Sequence, residues 1–415
     1  PKDSQKENNE ETPEEALSKE EKLKKIETDF SVALAKDILF QSHSLSRKEA
    51  LNQIQKNMKD ISKNEENKIM GEWQSVGVDW STGSKVSGEP GVTIAVPSPI
   101  KTQAGEKLVV KAEAENTGKI PLYRLKAVIE SDNPIFNGRE FIFGKLNPGE
   151  KRESSLTFEI PKGILQREDI LTLNLSDAYK NPLPKLTVKV QITELPRPVF
   201  AFNYEIIDNG KLDTSGNGNG IPEAGETIEL LVKIKNTGKG ISEKGIITLK
   251  NLSGDSVFLK KGRYEFKDLK PGETKEAPFI FTVNKPIPQI EMELGILDEV
   301  YREELRDKLI LTKKIGEFGK NGIFKEPPSI SIFNPPLSTN SQEIALKGMV
   351  KDQDGVEVVS VFVGEDKIML LPSSNKEIPL SLNLKLDKGS NVITVLAKDK
   401  EGLSSRESVV VRFGE

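Results

Sequence analysis

The sequence predicts a mainly β protein, built of tandem antiparallel β-sandwiches that follow a small α-helical segment and a disordered N-terminal tether. Three observations carry this expectation. Apolar residues alternate with polar ones in short runs, the runs are punctuated by Asn-Thr-Gly and Pro-Gly-Glu turns, and one block of runs and turns occurs twice. AGEKLVVKAEAENTGK, Ala104 to Lys119, returns as AGETIELLVKIKNTGK, Ala224 to Lys239. FGKLNPGEKRESSLTFEIPK, from Phe143, is answered by FKDLKPGETKEAPFIFTVNK, from Phe266. Two agreeing blocks in the same order mean one module duplicated.

Taken in order, residues 1–27 are Lys, Glu, Asn, Gln and Ser with almost nothing to bury, which reads as a solvated tether. Over 28–80 the period becomes helical: Val32, Ala35 and Leu39 share one face, and Ser46 with Glu49 forms a capping box that opens a second helix through Ala50, Ile54, Met58 and Ile61. Trp73 and Trp80, the only tryptophans, close this segment, either anchoring the helices onto a neighbouring domain or stacking a ligand. Ser81 to Gly91 is a linker.

The period then becomes two. Leu108, Val110, Ala112 and Ala114 alternate with polar residues, as do Ile228, Leu230, Val232 and Ile234 in the second copy, and Leu171, Leu173 and Leu175. The first sandwich is expected over 92–194 and the second over 199–315, separated by the stiff Leu195-Pro196-Arg197-Pro198. A third is expected over 326–415. There Ile344 and Leu346, Val359 to Val363, Leu382 to Leu386, and Val409 with Val411 alternate, with turns at Asp354-Gly355 and Glu401-Gly402.

The chain has 415 residues, enough for about three domains of roughly 100–150 residues each. Its net charge of −4 and lack of a basic stripe argue against nucleic-acid binding. Having no cysteine, it lacks thiol catalysis, thiolate metal sites and disulfides. No apolar run approaches the ~18 residues a membrane helix needs, and no signal peptide leads the chain. The first residue is Pro1, so either a removed leader or a longer protein upstream is expected.

The copies differ most just before the repeat. Only the second carries DTSGNGNGIPEAGE, Asp213 to Glu226. Counted from Ser215, oxygen-bearing side chains fall at the first, third and fifth positions (Ser215, Asn217, Asn219), glycine at the sixth (Gly220), and carboxylates at the ninth and twelfth (Glu223, Glu226). That is the ligand spacing of a calcium loop, with Asp213 or Asp208 able to join from outside the frame. The flanks are strands and Ser stands where Asp is usual; with few formal charges on the ligands, any calcium affinity is expected in the weak, roughly 0.1–1 mM class. The other reading is an Asn/Gly-rich hairpin held by its own side chains. A weaker candidate for a cation is Asp352 and Asp354 with Asp399. His43 is the only histidine, so a Ser-His-Asp triad would have to use it; a Ser-Lys dyad has no serine marked by a strained turn.

DFSVALAKDILF, Asp29 to Phe40, with IMGEWQSVGVDWS, Ile69 to Ser81, resembles the stretch that follows the protease domain in a subgroup of bacterial carboxyl-terminal processing (tail-specific) serine proteases. The duplicated module resembles CARDB-like cell-surface modules, whose pattern includes a GNGDGIPEPGE-type loop and an NTG turn. Here Asn219 stands where that loop often has Asp. KGMVKDQDGV and KGSNVITVLAKDKEG resemble bacterial Ig-like domains. The resemblance implies a noncatalytic, periplasmic or cell-surface region that positions or recognises protein substrate for an upstream protease. It carries over no active-site residue. The alternative is a free-standing adhesion-type protein that binds a protein or peptide ligand, with calcium stiffening one module.

Overall fold

A computed structural model of the chain describes residues 82–210, 213–311 and 323–414. The tether, the helical segment, both tryptophans and His43 lie outside the described residues.

The described chain is mainly β and forms three two-sheet sandwiches. In the first, β1 (Thr93–Ala95), β3 (Lys107–Glu115) and β6 (Lys151–Glu159) form one sheet. The other has the order β2 (Ile100–Gln103), β8 (Lys185–Thr193), β7 (Arg167–Ser176), β4 (Leu122–Glu130), β5 (Glu140–Leu146). Alternation puts Val110, Ala112 and Ala114 of β3 into one core with Leu125, Ala127 and Ile129 of β4 and Leu171 and Leu173 of β7.

The second sandwich sets β12 (Val257–Lys261), β14 (Thr274–Val283), β10 (Thr227–Asn236) and β9 (Phe200–Ile207) against β13 (Arg263–Leu269), β11 (Ser242–Asn251), β15 (Glu291–Asp298) and β16 (Glu304–Ile310). In the third, β17 (Ser329–Ile332), β19 (Glu343–Lys351) and β22 (Glu377–Lys385) face β18 (Ser338–Thr339), β24 (Ser404–Phe413), β23 (Gly389–Asp399), β20 (Val356–Val363) and β21 (Asp366–Pro372). The expectation of wholly antiparallel sheets needs correcting at two places: β2 runs parallel to β8, and β18 parallel to β24. Each is the continuation of an entry strand that begins in one sheet and ends in the other, and so arrives beside the last strand of its sandwich pointing the same way.

The shared Asn-Thr-Gly and Pro-Gly-Glu motifs are two halves of one corner. Asn116 is fully buried; its side-chain amide donates to the carbonyls of Ile120 (2.9 Å) and Leu146 (2.8 Å), and its Oδ1 accepts from the Gly118 amide (3.0 Å). Asn236 repeats this with Gly240 (2.8 Å), Leu269 (3.0 Å) and Gly238 (3.0 Å). The backbone carbonyl of each Asn accepts from the glycine of the Pro-Gly-Glu turn, Gly149 (2.8 Å) or Gly272 (2.7 Å). Those two glycines sit at φ +79° and +81°, where a side chain is strained. The motif glycine is needed for a different reason. A Cβ on Gly118 would lie 2.4 Å from the Gly91 nitrogen, and one on Gly238 would lie 2.4 Å from that of Val199, because the incoming strand crosses there.

The copies diverge in how that strand continues. In the first, after β1 pairs with β3, the chain crosses as β2 and covers the edge of β8. In the second, β9 stays with β10 along its length, the chain returns through the Asp208–Glu226 loop, and β16 ends its sheet. The third sandwich fills this margin. Leu403, in the turn between β23 and β24, is 1 % exposed and belongs to the core of the second sandwich. Lys325 pairs its backbone with Phe202 of β9 and places its ammonium 3.2 Å from both Asp307 of β16 and Glu401 of the same turn.

Two further junctions hold the sandwiches together. Arg197, in the Pro-rich linker, donates to the Gly163 carbonyl of the first sandwich (2.7 Å) and pairs with Glu303 of the second (2.7 Å), its guanidinium over the Tyr301 ring. Between the first and third, Asp132 accepts from Arg412 (2.7 Å) and the Ser390 amide (2.8 Å), and Arg167 donates to the Ser390 hydroxyl (3.1 Å).

Replacing Asn236 by Ala leaves two buried carbonyls without their donor and is expected to cost about 2–4 kcal/mol. Asn116→Ala should cost a similar amount. Chemical denaturation of the full chain followed by tryptophan-independent circular dichroism reads both; a loss below ~1 kcal/mol in either would refute the corner's role.

Candidate functional site

The loop that distinguishes the second copy begins at Asp208, directly after β9, and ends at Glu226, directly before β10. Its ends are tied by a two-way backbone bridge between Ser215 and Thr227, 2.9 Å in each direction, with the Ser215 hydroxyl also accepting from the Thr227 amide. Gly218 and Gly220 take positive φ, +78° and +76°, which is what lets Asn217 and Asn219 each close an Asx turn. The Asn217 Oδ1 accepts from the Asn219 amide (2.9 Å), and the Asn219 Oδ1 from that of Ile221 (2.7 Å).

Four of the six predicted site residues come together. Both side-chain amides, of Asn217 and Asn219, donate to Glu223 Oε2, the second at 3.1 Å. The Asn217 backbone amide donates to Glu226 Oε1 (3.1 Å), and the Glu223 amide to Glu226 Oε2 (2.9 Å). Ser215 stands apart at the base in the bridge to Thr227, and Asp213 is exposed. Asp208 is the fifth member of the group. It is buried, and its Oδ2 accepts from the Gly220 amide (3.0 Å). A Cβ on Gly216 would lie 3.0 Å from both the Asp208 Cβ and Glu226 Oε1, so Gly216 is where the two acidic ends of the loop approach each other.

The first copy shows what Glu226 does apart from the loop. Its counterpart Glu106 follows the same Ala-Gly pair, and Glu106 Oε2 accepts from the Gln103 amide (2.9 Å) as Glu226 Oε2 accepts from that of Glu223. One oxygen of Glu226 therefore closes a turn common to both copies, and only Oε1 is specific to the loop. Glu223 is the carboxylate with no such duty: it is exposed and held solely by the two Asn side chains among the bonds described.

Among the described residues no group of three or more His, Cys, Asp or Glu side chains is placed to hold a metal ion. The loop's chemistry is that of hard oxygen donors, carboxylates plus Asn and backbone carbonyls, the set that suits calcium and not zinc or copper.

The second candidate resolves into turn chemistry. Asp352 Oδ1 accepts from the amides of Asp354 and Gly355, both at 2.8 Å. Asp399 Oδ1 accepts from the Leu403 amide (2.9 Å), shaping the turn that delivers Leu403 to the second sandwich. Burial pushes its carboxyl up to about 6, with the Asp352 charge adding to the shift and the backbone amides of Leu403, Gly402 and Glu401 opposing it.

No family model matches the chain, and no curated protein does either. Solved structures similar to it include the fibronectin(III)-like modules of Clostridium thermocellum CbhA, 14 % identical over 50 % of this chain and 93 % of that one, with a TM-score of 0.19. A protein of unknown function from Porphyromonas gingivalis W83 is 17 % identical over 53 % of this chain and 98 % of that one, with a TM-score of 0.18. Dimeric latent PorU from Porphyromonas gingivalis is 10 % identical over 78 % of this chain and 34 % of that one, with a TM-score of 0.19. At these TM-scores the likenesses carry no functional argument.

Proposed function

We propose that this chain is a noncatalytic, extracytoplasmic multi-module region that positions or recognises protein substrate for a processing serine protease. The observation that supports it most is the joining of the three sandwiches at three separate junctions: Leu403 in the core of the second, Arg197 bridging the first two, and the Asp132–Arg412 pair joining the first and third. Freely jointed modules suit a passive spacer. Modules held in one mutual arrangement suit the presentation of a macromolecule at a set position, where a fixed geometry lowers the entropy cost of capture. The protease part of the proposal rests on the sequence resemblance of Asp29–Phe40 and Ile69–Ser81.

A positioning region raises the effective concentration of substrate and leaves the chemical step alone. In the polypeptide encoded together with its upstream region, removing residues 82–415 is expected to raise KM for a folded protein substrate about tenfold or more. The kcat toward a short peptide should stay within about twofold. Equal KM values for the protein substrate with and without these residues would rule the role out.

We further propose, as the feature favouring an adhesion-type protein, that the Asp208–Glu226 loop takes up calcium weakly. Glu223, Asn217, Asn219, Asp208 and Glu226 would supply the oxygens, with Glu223 exchanging its two amide donors for the ion. At a Kd of roughly 0.5 mM, 10 mM calcium stabilises the native chain by about 2 kcal/mol. The melting temperature of the full chain should therefore rise with calcium but not with the same ionic strength of sodium. Glu223→Gln, which keeps the shape and removes the charge, should abolish the rise; Glu226→Ala is the wrong test because it also opens the shared turn. A melting temperature indifferent to calcium in the wild type would end this reading.

A further inference from the structure

Asp307 occupies a core position of β16. It lies between Leu305 and Leu309 on the inward face of the strand and opposite Leu294 on β15, and all three leucines belong to the second sandwich's core. Its side chain is 4 % exposed, and the Lys325 ammonium stands 3.2 Å from its Oδ2. Glu401 reaches the same ammonium from the third sandwich, also at 3.2 Å. Among the described lysines in ion pairs Lys325 is the least exposed, at 20 % of its side chain against 32 % or more for the others. Tyr204, packed against the same core, stands within electrostatic reach of both Lys325 and Asp307. An apolar residue in place of Asp307 would complete the leucine row without any desolvation cost, and a buried ion pair stabilises little over an apolar one. Packing therefore does not call for a carboxylate here. What the site does provide is a primary amine held against a water-shielded carboxyl, with a second carboxylate touching the amine.

We propose that Lys325 and Asp307 condense to an intramolecular amide that welds the third sandwich to the second, with Glu401 as the proton carrier. The bond goes beyond the proposed positioning role: it makes this junction permanent whatever the sandwiches present.

The ion pair is the resting state. Burial lowers the Lys325 ammonium, but Asp307 and Glu401 together raise it further; burial pushes the Asp307 carboxyl up, against the opposing pull of Lys325 and the Lys308 amide. Reaction begins when the ammonium passes one proton to Asp307, leaving a neutral amine beside a neutral carboxylic acid, the forms that burial favours. Nζ then attacks Asp307 Cγ. The ionised Glu401 takes one proton from the nitrogen and delivers it to the carboxyl hydroxyl, the Cγ–O bond breaks, and one water leaves. The other amine proton stays as the amide N–H, Glu401 returns to its ionised form, and nothing is oxidised or reduced. Each chain reacts once, so a minor neutral population held in contact geometry is sufficient.

Intact mass spectrometry of the denatured full chain reads the bond directly. The chain is expected to be one water lighter than its sequence, and its proteolytic peptides should include one branched species joining Lys325 to Asp307. A chain at its full sequence mass would overturn the proposal, as would a water loss that maps elsewhere, such as a succinimide at Asp354-Gly355. Neither reading depends on the folding of a variant. Asp307→Ala should keep its full sequence mass, and persistence of the water loss in that chain would count against the bond. Glu401→Gln, which keeps the shape and removes the basic oxygen, should slow condensation about a hundredfold. Complete condensation in that variant would overturn the part given to Glu401.

Discussion

A sheet that ends in an open edge beside an unfinished core must be covered, because its backbone groups and the apolar residues behind them otherwise face water or another chain. This constraint organises the described molecule. The first sandwich meets it internally, with β2 crossing over to lie along β8. The second has given that strand up, leaving β16 at the end of its sheet, and meets the constraint with groups from outside: Lys325 against β9 and β16, and Leu403 in the core. Seating a leucine fully is worth about 2 kcal/mol, more than any of the half-exposed surface ion pairs such as Lys162–Glu243 contributes. The third sandwich is thus attached because the second is incomplete without it. Its own free edge, β21, is handled differently: a bulge opposite Val361 and Phe362 breaks its pairing and Pro372 terminates it, although Ile368 and Leu370 remain about half exposed.

The duplication has the same physical logic. A buried asparagine is costly unless every polar atom is paired, and Asn116 and Asn236 each pair theirs with carbonyls at the ends of two different strands. That one side chain fixes where the incoming strand, the Asn-Thr-Gly corner and the Pro-Gly-Glu turn meet. These motifs survive in both copies while the strand residues between them differ, since alternation of apolar side chains tolerates many sequences and a hydrogen-bonded corner tolerates few.

Most of the strand architecture was legible in the sequence, because alternation is a local property: the runs at Leu108–Ala114, Ile228–Ile234, Leu171–Leu175 and Val359–Val363 fall on β3, β10, β7 and β20. The parallel pairings of β2 and β18 were not, because strands of four and two residues carry too little pattern to show which sheet they join. In the loop, spacing identified Asn217, Asn219, Glu223 and Glu226 as neighbours. It gave no hint that Glu226 shares its turn-closing bond with Glu106, although comparing the two Ala-Gly-Glu triplets would have shown it. Asp208 was visible only as an outside candidate, since its part depends on the chain doubling back over Gly216 and Gly220. Arg197 and Leu403 carried no signal at all. Their roles come from contacts between sandwiches far apart in sequence, and a linker arginine and a turn leucine look ordinary in one dimension.

Loop and docking margin are two consequences of one substitution. Keeping β9 beside β10 along its whole length removes the crossing strand and obliges the chain to return through a tight reversal, which the Asn/Gly segment accomplishes by Asx turns and positive-φ glycines. The same choice exposes the margin beside β16 that Lys325 and Leu403 occupy. A chain of identical modules, each complete, would have no reason to fold back on itself. By making the second module incomplete on one side and looped on the other, the sequence converts a repeat into a joined unit, with Arg197 bridging the first two sandwiches and Leu403 seating the third on the second. Function that depends on the mutual arrangement of the sandwiches is therefore most sensitive at the margin beside β16 and at Arg197, and least sensitive in the two copies' shared strands.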